Sequence, residues 1–543
     1  MTRRQALTTL AAGASAAVVA GAASARTDDA PQTATHGVDM LPALIPMPAS
    51  YRSLEGHFEL SSVRCILVGA NANPIRPHLE QLARVLQELT GRRPPLRTVS
   101  AKRPTGAISI ATDDQLEQLG REGYELEVTP SGVALRAHTQ TGLFYGVQTL
   151  RQLLPMPGDG LSLGALKIRD LPRYPWRGLL LDCCRHFMST KFVKRCIDLL
   201  AHHKFNRLHW HLTEDQGWRI EVKRYPKLTQ VGSKRSQNEP GAVGFYTQRE
   251  IRDILGYAAD RQVMVVPEIE MPGHCTAALA AYPTLSCEGK ALTVSTEWGI
   301  HKDVYCAGNE QVFEFLQNVL DEVIELFPSS HIHLGGDEVP KDRWQACPKC
   351  QARIAKEKLK DEKDLQSYFM RRMAQHVASR GRQSICWDEI VEEGRAPPGM
   401  VVQAWRGEKA TRLALRAGHQ TIVSPYSHVY FDYALDVSDL GDVYGFDPRP
   451  AGVHEKVAGQ VIGSEACLWS EGAPESLVEE KVFPRLFGLA EVLWTAPARR
   501  DFEAFYRRCR KHSARLIKTK GLRVGPALFK GYDVGPEFLN ARP

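Results

Sequence analysis

Asp337 and Glu338 stand side by side in the stretch HIHLGGDEV, residues 331–339, directly after two glycines. Neighbours on an extended strand point to opposite faces, so this pair cannot flank a substrate as two opposed carboxylates do. Other charged and aromatic residues recur in similar places, at the ends of short apolar runs. They are Arg177, Asp182, Asp215, Glu270, His274, Trp387, Trp405, Tyr430, Asp432, Trp469 and Glu471. Indole faces pack against sugar rings and apolar substituents, while carboxylates and an arginine exchange hydrogen bonds with hydroxyls. The mixture points to carbohydrate.

Other chemistries lack their usual signs. There is no Gly-x-Ser-x-Gly elbow, no P-loop and no dinucleotide fingerprint. Two His-x-His pairs, His209/His211 and His331/His333, resemble the way barrel hydrolases hold metals, because alternate strand residues share a face. Each pair opens its strand or sits within it, where barrel filling or polar contacts account for it. No catalytic metal is expected.

The elements that must position these residues fall into two blocks. Residues 41–172 read as a small α+β domain: RCILVG, AISIAT and YELEVTPSGVALRA have strand patterns, and HLEQLARVLQELTG and TGLFYGVQTLRQLL have helical spacing. Residues 173–500 contain eight short apolar strands, from RGLLLDCCRH to VIGSEACLWSE, separated by loops and helical segments. Eight such units predict a (β/α)8 TIM barrel, an α/β fold, with tight spacing between strands five, six and seven. The polar and aromatic residues fall at the C-terminal strand ends, where such barrels place their sites. Residues 501–543 read as a basic helical tail.

At 543 residues and 43% hydrophobic, the chain can bury a large core. Its formal charge of +7, or +5 without Arg3 and Arg4, comes with no dense basic block, so nucleic acid is not an expected partner. Residues 1–25 have a basic start, an apolar run and an Ala-Ser-Ala site, the pattern of an export leader, followed by a polar linker at 26–40. Arg3-Arg4 suggests the twin-arginine route to the periplasm, with the Sec route open because the usual aromatic is missing. The leader run is short for a membrane anchor, and no later segment is long and apolar enough to span. Of twelve cysteines, Cys287 and Cys306 flank a polar loop and are candidates for a disulfide. The pair Cys347/Cys350 has the spacing of half a zinc site, but no second such pair exists, and free thiols or a local disulfide are favoured.

The ordered motifs WRGLLLDCCRHF, FNRLHWHLTEDQGWRIEVKRYPKLT, PEIEMPGH, HLGGDEV, WDEI, QAWRG and ACLWSE resemble the glycoside hydrolase family 20 β-N-acetylhexosaminidases. The resemblance runs over about residues 150–495, and EGYELEVTPSGVALRAHTQTGLFYGVQTLRQL is similar to that family's preceding small domain. It implies retaining, cofactor-free hydrolysis of terminal β-linked GlcNAc or GalNAc from oligosaccharides. It also implies that Asp337 and Glu338 are the catalytic pair, with Asp215 and His274 supporting the acid. Arg177, Asp432 and Glu471 would bind hydroxyls, Trp387, Trp405 and Trp469 would wall the acetamido pocket, and Tyr430 would bond its carbonyl. Where the family often has Asp-Asp this chain has Glu214-Asp215, so only Asp215 is carried over. A sugar-binding protein on an inactive barrel and a metal-dependent barrel hydrolase are the other classes considered.

Overall fold

Tyr124–Thr129 and Gly132–Ala137 alternate buried and half-buried residues, the pattern of strands with one face on a core. In the computed structural model they form a hairpin within a seven-stranded mixed sheet. The structure describes residues 42–98, 104–156, 158–236, 239–394, 396–435 and 437–525. The expected leader and linker, and residues 526–543 of the tail, lie outside these. The sheet contains β1 (Ser50–Glu59), β2 (Cys65–Val68), β3 (Leu96–Thr98), β4 (Ala107–Thr112), β5 (Tyr124–Thr129), β6 (Gly132–Ala137) and β7 (Ser162–Asp170), in the order β1-β7-β5-β6-β4-β2-β3. Helices Arg76–Thr90 and Gln140–Leu153 pack on it through their apolar sides.

The run Trp176–Asp182 is buried at every position, as a strand covered on both faces must be. It is β8, the first strand of a closed parallel barrel. The barrel continues through β9 (Arg207–His211), then, after a small ribbon of β10 (Thr213–Glu214) and β11 (Gly217–Trp218), through β12 (Met264–Glu268), β13 (His331–His333), β14 (Gln383–Trp387), β15 (Val401–Ala404), β16 (Thr421–Val423) and β17 (Val461–Leu468). These are the eight strands expected from the sequence. Capped helices return the chain between most of them: Ser189 caps Thr190–His202, a Thr247/Glu250 capping box starts Gln248–Asp260, and Asn309 caps Glu310–Leu326. The tight spacing after the fifth strand has a simple cause, since a 3-10 segment, Asp388–Gly394, replaces a full helix there. No helix among the described residues is long and apolar enough to cross a membrane.

The barrel interior is layered. Trp176, Val266, Ile385, Val401 and Ile422 fill its lower part. Above them lies a polar layer in which His209 contacts Glu465 at 3.0 Å and Glu268 at 3.1 Å, and His333 contacts Glu268 at 2.7 Å. The first His-x-His pair and His333 of the second therefore spend their rings on barrel carboxylates. Leu180, Trp387, Trp405, Tyr430, Cys467 and Trp469 close the top.

A buried polar seam joins the first domain to the lower end of the barrel. Asp170, at the end of β7, accepts from Lys204 Nζ at 2.8 Å, Trp494 Nε1 at 2.8 Å and Tyr124 Oη at 2.5 Å. Arg177 belongs to this seam, which corrects its expected place among the sugar-binding residues. It is the second residue of β8, so it lies at the end of the strand opposite Asp182. Its guanidinium pairs with Glu122 at 2.8 Å and donates to the carbonyls of Tyr174 and Lys204. Burial opposes the charges of both partners, yet their attraction holds Glu122 below and Arg177 above its ordinary pKa. Arg177→Met leaves the half-buried Glu122 without its guanidinium, and a loss of about 3 kcal/mol, the low end for a broken buried pair, is expected in urea denaturation. An unchanged unfolding midpoint would show that the pair does not hold the seam.

Candidate active site

At the upper end of the barrel the polar residues converge. Arg185 follows β8 by three residues and is almost wholly buried. Its guanidinium reaches Glu214 at 2.8 Å, Asp182 at 3.2 Å and Glu471 at 3.4 Å, and lies over the Trp469 ring at 5.2 Å. Asp182 also receives the backbone N–H and hydroxyl of Ser470, each at 3.0 Å. Burial would raise the Asp182 pKa, but Arg185 and His211 hold it well below the carboxylate range.

Glu214 connects this arginine to His274. Its second oxygen lies 2.7 Å from His274 Nδ1, while Asp215 Oδ2 is 3.4 Å from the same nitrogen. Asp215 spends its other oxygen on the first turn of Thr276–Ala281, accepting from Thr276 N at 2.9 Å and Oγ1 at 2.6 Å. Burial raises the Glu214 pKa and is outweighed by Arg185 and His274, which bring it down to about 2. For His274 burial disfavours the imidazolium, but Glu214 and Asp337 lift its pKa well above the ordinary histidine value.

The far nitrogen of His274 faces both members of the acid pair, with Asp337 Oδ2 at 3.6 Å and Glu338 Oε2 at 3.7 Å. Their side chains are 1% and 5% exposed, so both acids work in a largely water-free setting. The Gly pair accounts for how the chain gets there. Gly335 has φ +66°, and a Cβ on it would sit 1.8 Å from Glu270 Oε2; Gly336 has φ +98°. Trp387 N–H donates to the Gly335 carbonyl at 3.0 Å and Gln366 donates to that of Gly336 at 2.8 Å. His274 and Glu338 are themselves in the left-handed region, each at φ 49°, an uncommon conformation for such residues and one that clusters at functional sites. Glu270, between His211 and Asp337, is pushed well above its ordinary pKa by burial, then by Asp337 and Glu268.

Aromatic rings wall the space beside the acids. Trp387 donates to Glu268 at 2.9 Å and lies 5.9 Å from Trp469, centroid to centroid. Trp405 stacks on Tyr430 at 6.2 Å, and Tyr430 lies 6.2 Å from Trp469. Trp405 Nε1 donates to Glu389, whose pKa burial raises well above the ordinary value. Glu471 is half-buried on Arg185. Asp432 is half-buried two residues beyond Tyr430, and Lys481 donates to its backbone carbonyl at 2.8 Å.

The structure thus brings together Asp337, Glu338, His274, Asp215, Glu471, Trp387, Trp405, Tyr430 and Trp469, and leaves Arg177 at the other end of the barrel. Two members of the cluster were missed in the sequence. Arg185 follows the same apolar strand as Arg177 but at its C-terminal end, a signal that strand direction carries. Glu214 was set aside because its position often holds aspartate in the resembling family, yet it makes the shorter contact to His274.

A family model described as glycosyl hydrolase family 20, catalytic domain, matches residues 174–497, and one for domain 2 of the same family matches residues 41–171. A β-hexosaminidase of Porphyromonas gingivalis is 40% identical over 496 residues, covering 87% of this chain and 63% of that protein. The chain therefore spans less than two thirds of that relative's length. The crystal structure of a β-N-acetylhexosaminidase from Bacteroides fragilis superposes with a TM-score of 0.79 at 34% identity, covering 90% of this chain and 99% of that one. An exo β-N-acetylglucosaminidase from Vibrio harveyi, solved with N-acetylglucosamine, gives a TM-score of 0.79 at 28% identity, covering 92% of this chain and 80% of that one.

The Glu214–His274 contact has a pH signature. The raised His274 pKa contributes stability that is complete below its unfolded value of about 6.5 and is lost as pH rises through the folded value. Glu214 contributes stability present above its unfolded value of about 4.3 and lost as pH falls toward about 2. In a 15N-histidine NMR titration, the His274 imidazolium signal, assigned by its absence from His274→Gln, is expected to persist far into the alkaline range, as are those of His209 and His211 on their barrel carboxylates. Glu214→Gln should move the His274 midpoint down. A midpoint unmoved by that substitution would remove Glu214 as the histidine's main partner.

Proposed function

The chain belongs to glycosyl hydrolase family 20, and on that premise we propose that it is an exo-acting β-N-acetylhexosaminidase. Its proposed substrates are oligosaccharides or glycoconjugates ending in a β-linked N-acetylglucosamine or N-acetylgalactosamine. The observation that carries this reading is the shared imidazole: Asp337 and Glu338, adjacent in the chain, both turn a carboxylate oxygen to His274 Nε2. Two acids on one histidine are badly placed to act from opposite sides of a glycosidic bond. The ordinary retaining scheme needs a proton donor on one flank and a carboxylate nucleophile on the other, about 5 Å apart, and family 20 enzymes are a recognised exception to it.

In the mechanism we favour, Glu338 gives its proton to the glycosidic oxygen as the bond to C1 breaks. The carbonyl oxygen of the sugar's own 2-acetamido group attacks C1 and closes an oxazolinium ring. Asp337 holds the amide N–H and stabilises the positive charge, which a fixed anion in a dry pocket does better than water. Glu338, now a carboxylate, takes a proton from the water that reopens the ring at C1, so the anomeric configuration is retained. Trp387, Trp405 and Trp469 confine the acetamido group, and Tyr430 offers its hydroxyl to the carbonyl. Arg185 and Glu471 are the groups best placed for ring hydroxyls, with Asp432 at the edge. His274, backed by Glu214 and Asp215, tunes the proton affinity of Glu338. No cofactor is required. The leader pattern at residues 1–25 supports delivery to the periplasm.

Glu338→Gln keeps Asp337 but removes the proton donor. Turnover should fall by about two to four orders of magnitude on glycosides with poor leaving groups, and far less in the glycosylation step for activated aryl glycosides. Equal losses on both would count against Glu338 as the acid. A substrate with a plain 2-hydroxyl should be hydrolysed very poorly, because it lacks the internal nucleophile. A 2-fluoro glycoside should leave no sugar on the protein by mass spectrometry, and a stoichiometric adduct on any carboxylate would return the enzyme to the two-carboxylate scheme.

A further inference from the structure

The expected disulfide between Cys287 and Cys306 is not formed: all twelve cysteines are thiols. Instead both converge with Cys347 and Cys350. Cys306 Sγ lies 3.8 Å from Cys347 Sγ and 3.7 Å from Cys350 Sγ, and Cys287 Sγ lies 3.9 Å from Cys350 Sγ. All four sulfurs fall within 4.8 Å of one another. A disulfide needs about 2.05 Å between its sulfurs. A tetrahedral zinc with Zn–S bonds of about 2.3 Å needs sulfur–sulfur edges of about 3.8 Å. Three edges of nearly that length, sharing corners, are what four thiolates around one ion require and what a pairwise bridge does not.

The backbone around the cysteines is arranged to hold them there. The bridge between Ser286 and Tyr305 closes the base of a long loop and brings Cys287 and Cys306 together, and Cys306 N–H donates to the Leu285 carbonyl at 2.9 Å. Cys347 directly precedes the helix Pro348–Lys356, and Cys350 sits in its first turn. Gly308 packs so closely on this turn that a Cβ would lie 2.2 Å from the Lys349 carbonyl. Cys306, Cys347 and Cys350 are buried and Cys287 half-buried. His376, on the helix Glu362–Ser379, bonds Asp321 at 2.8 Å and takes no part.

We infer that Cys287, Cys306, Cys347 and Cys350 form a structural zinc site that fastens the loop after β12 to the loop after β13. Binding Zn2+ converts four thiols to thiolates and releases their protons to solvent. All four positions are filled by sulfur, so the ion has no open site for substrate and acts only as a clamp. The clamp sits where it matters for the acids. The first loop carries His274, and its Ser295 N–H donates to the Asp215 carbonyl at 3.3 Å while Gln216 donates to the Glu297 carbonyl at 2.7 Å. The second loop carries Glu338. Arg343, ahead of Cys347, reinforces the join with Asp303 at 2.9 Å and Glu288 at 2.5 Å.

The test is elemental analysis of the full-length protein, purified without chelator or added metal, alongside thiol titration and a non-reduced peptide map. For the unsubstituted protein about one zinc per chain is expected, with all four cysteines recovered as thiols after denaturation, and for Cys306→Ser/Cys350→Ser less than about 0.1 zinc per chain. A mercurial reagent should release the zinc, and the stripped, re-reduced protein should take up Co2+ with the visible absorption of a tetrahedral tetrathiolate. Trypsin offers a readout that needs no variant: cleavage after the exposed Lys290 and Lys302 should speed up on zinc removal and slow again when ZnCl2 is returned. Disulfides among these four cysteines in the peptide map would overturn the inference. So would metal-free protein with four free thiols that takes up neither Zn2+ nor Co2+.

Discussion

Arg185 is the charge on which the mouth of the barrel depends. Asp182, Glu214 and Glu471 all lean on its guanidinium, and two of the three are fully buried. Carboxylates so far from water stay ionised only beside a permanent cation with good hydrogen bonds, and arginine alone keeps its proton under those conditions. Through Glu214 the same cation fixes the orientation of His274, and through His274 the position of both Asp337 and Glu338. The chain of contacts runs from a strand-end arginine to the acid pair without an intervening solvent-exposed group.

That dependence explains why the local backbone departs from easy conformations just here. Glu338 and His274 each adopt φ 49° and face each other across the pocket. A left-handed conformation costs a non-glycine residue roughly 1 to 2 kcal/mol, and the surrounding contacts offset it. Gly335 and Gly336 take up the rest of the turn, since Glu270 occupies the space a side chain at Gly335 would need. The strand β13 is only three residues long, so the direction of the acid pair is set by these bonds rather than by a continuing ladder.

Much of this was legible in the sequence, and the failures have physical causes. Apolar runs buried on both faces, such as Trp176–Asp182, announce parallel strands, and eight of them with acids and indoles at one end announce a barrel and its working face. Arg177, given a sugar-binding role through the resemblance, opens β8, whereas Arg185 lies beyond its end, and a parallel strand delivers those positions to opposite ends of the barrel. Glu214 was passed over for its length, which is the property that lets its carboxylate reach both Arg185 and His274 while Asp215 turns to cap a helix. The ribbon β10–β11, which carries Glu214 up to that point, is only two residues per strand and leaves no periodic trace.

The cysteines show a different limit. Cys287 and Cys350 are 63 residues apart in the chain, and Cys306 and Cys347 are 41 apart. A ligand set split between two loops has no fixed spacing, so it becomes visible only once those loops are known to follow adjacent strands. β12 and β13 are neighbours in the barrel, with Glu268 paired to His333, and the loops that leave their upper ends are therefore neighbours too. The same adjacency brings His274 to Glu338. A fastening between these loops acts on the one distance, between imidazole and carboxylate, that the strands fix only at their base; the barrel sets where the acids start, and the loops set where they finish.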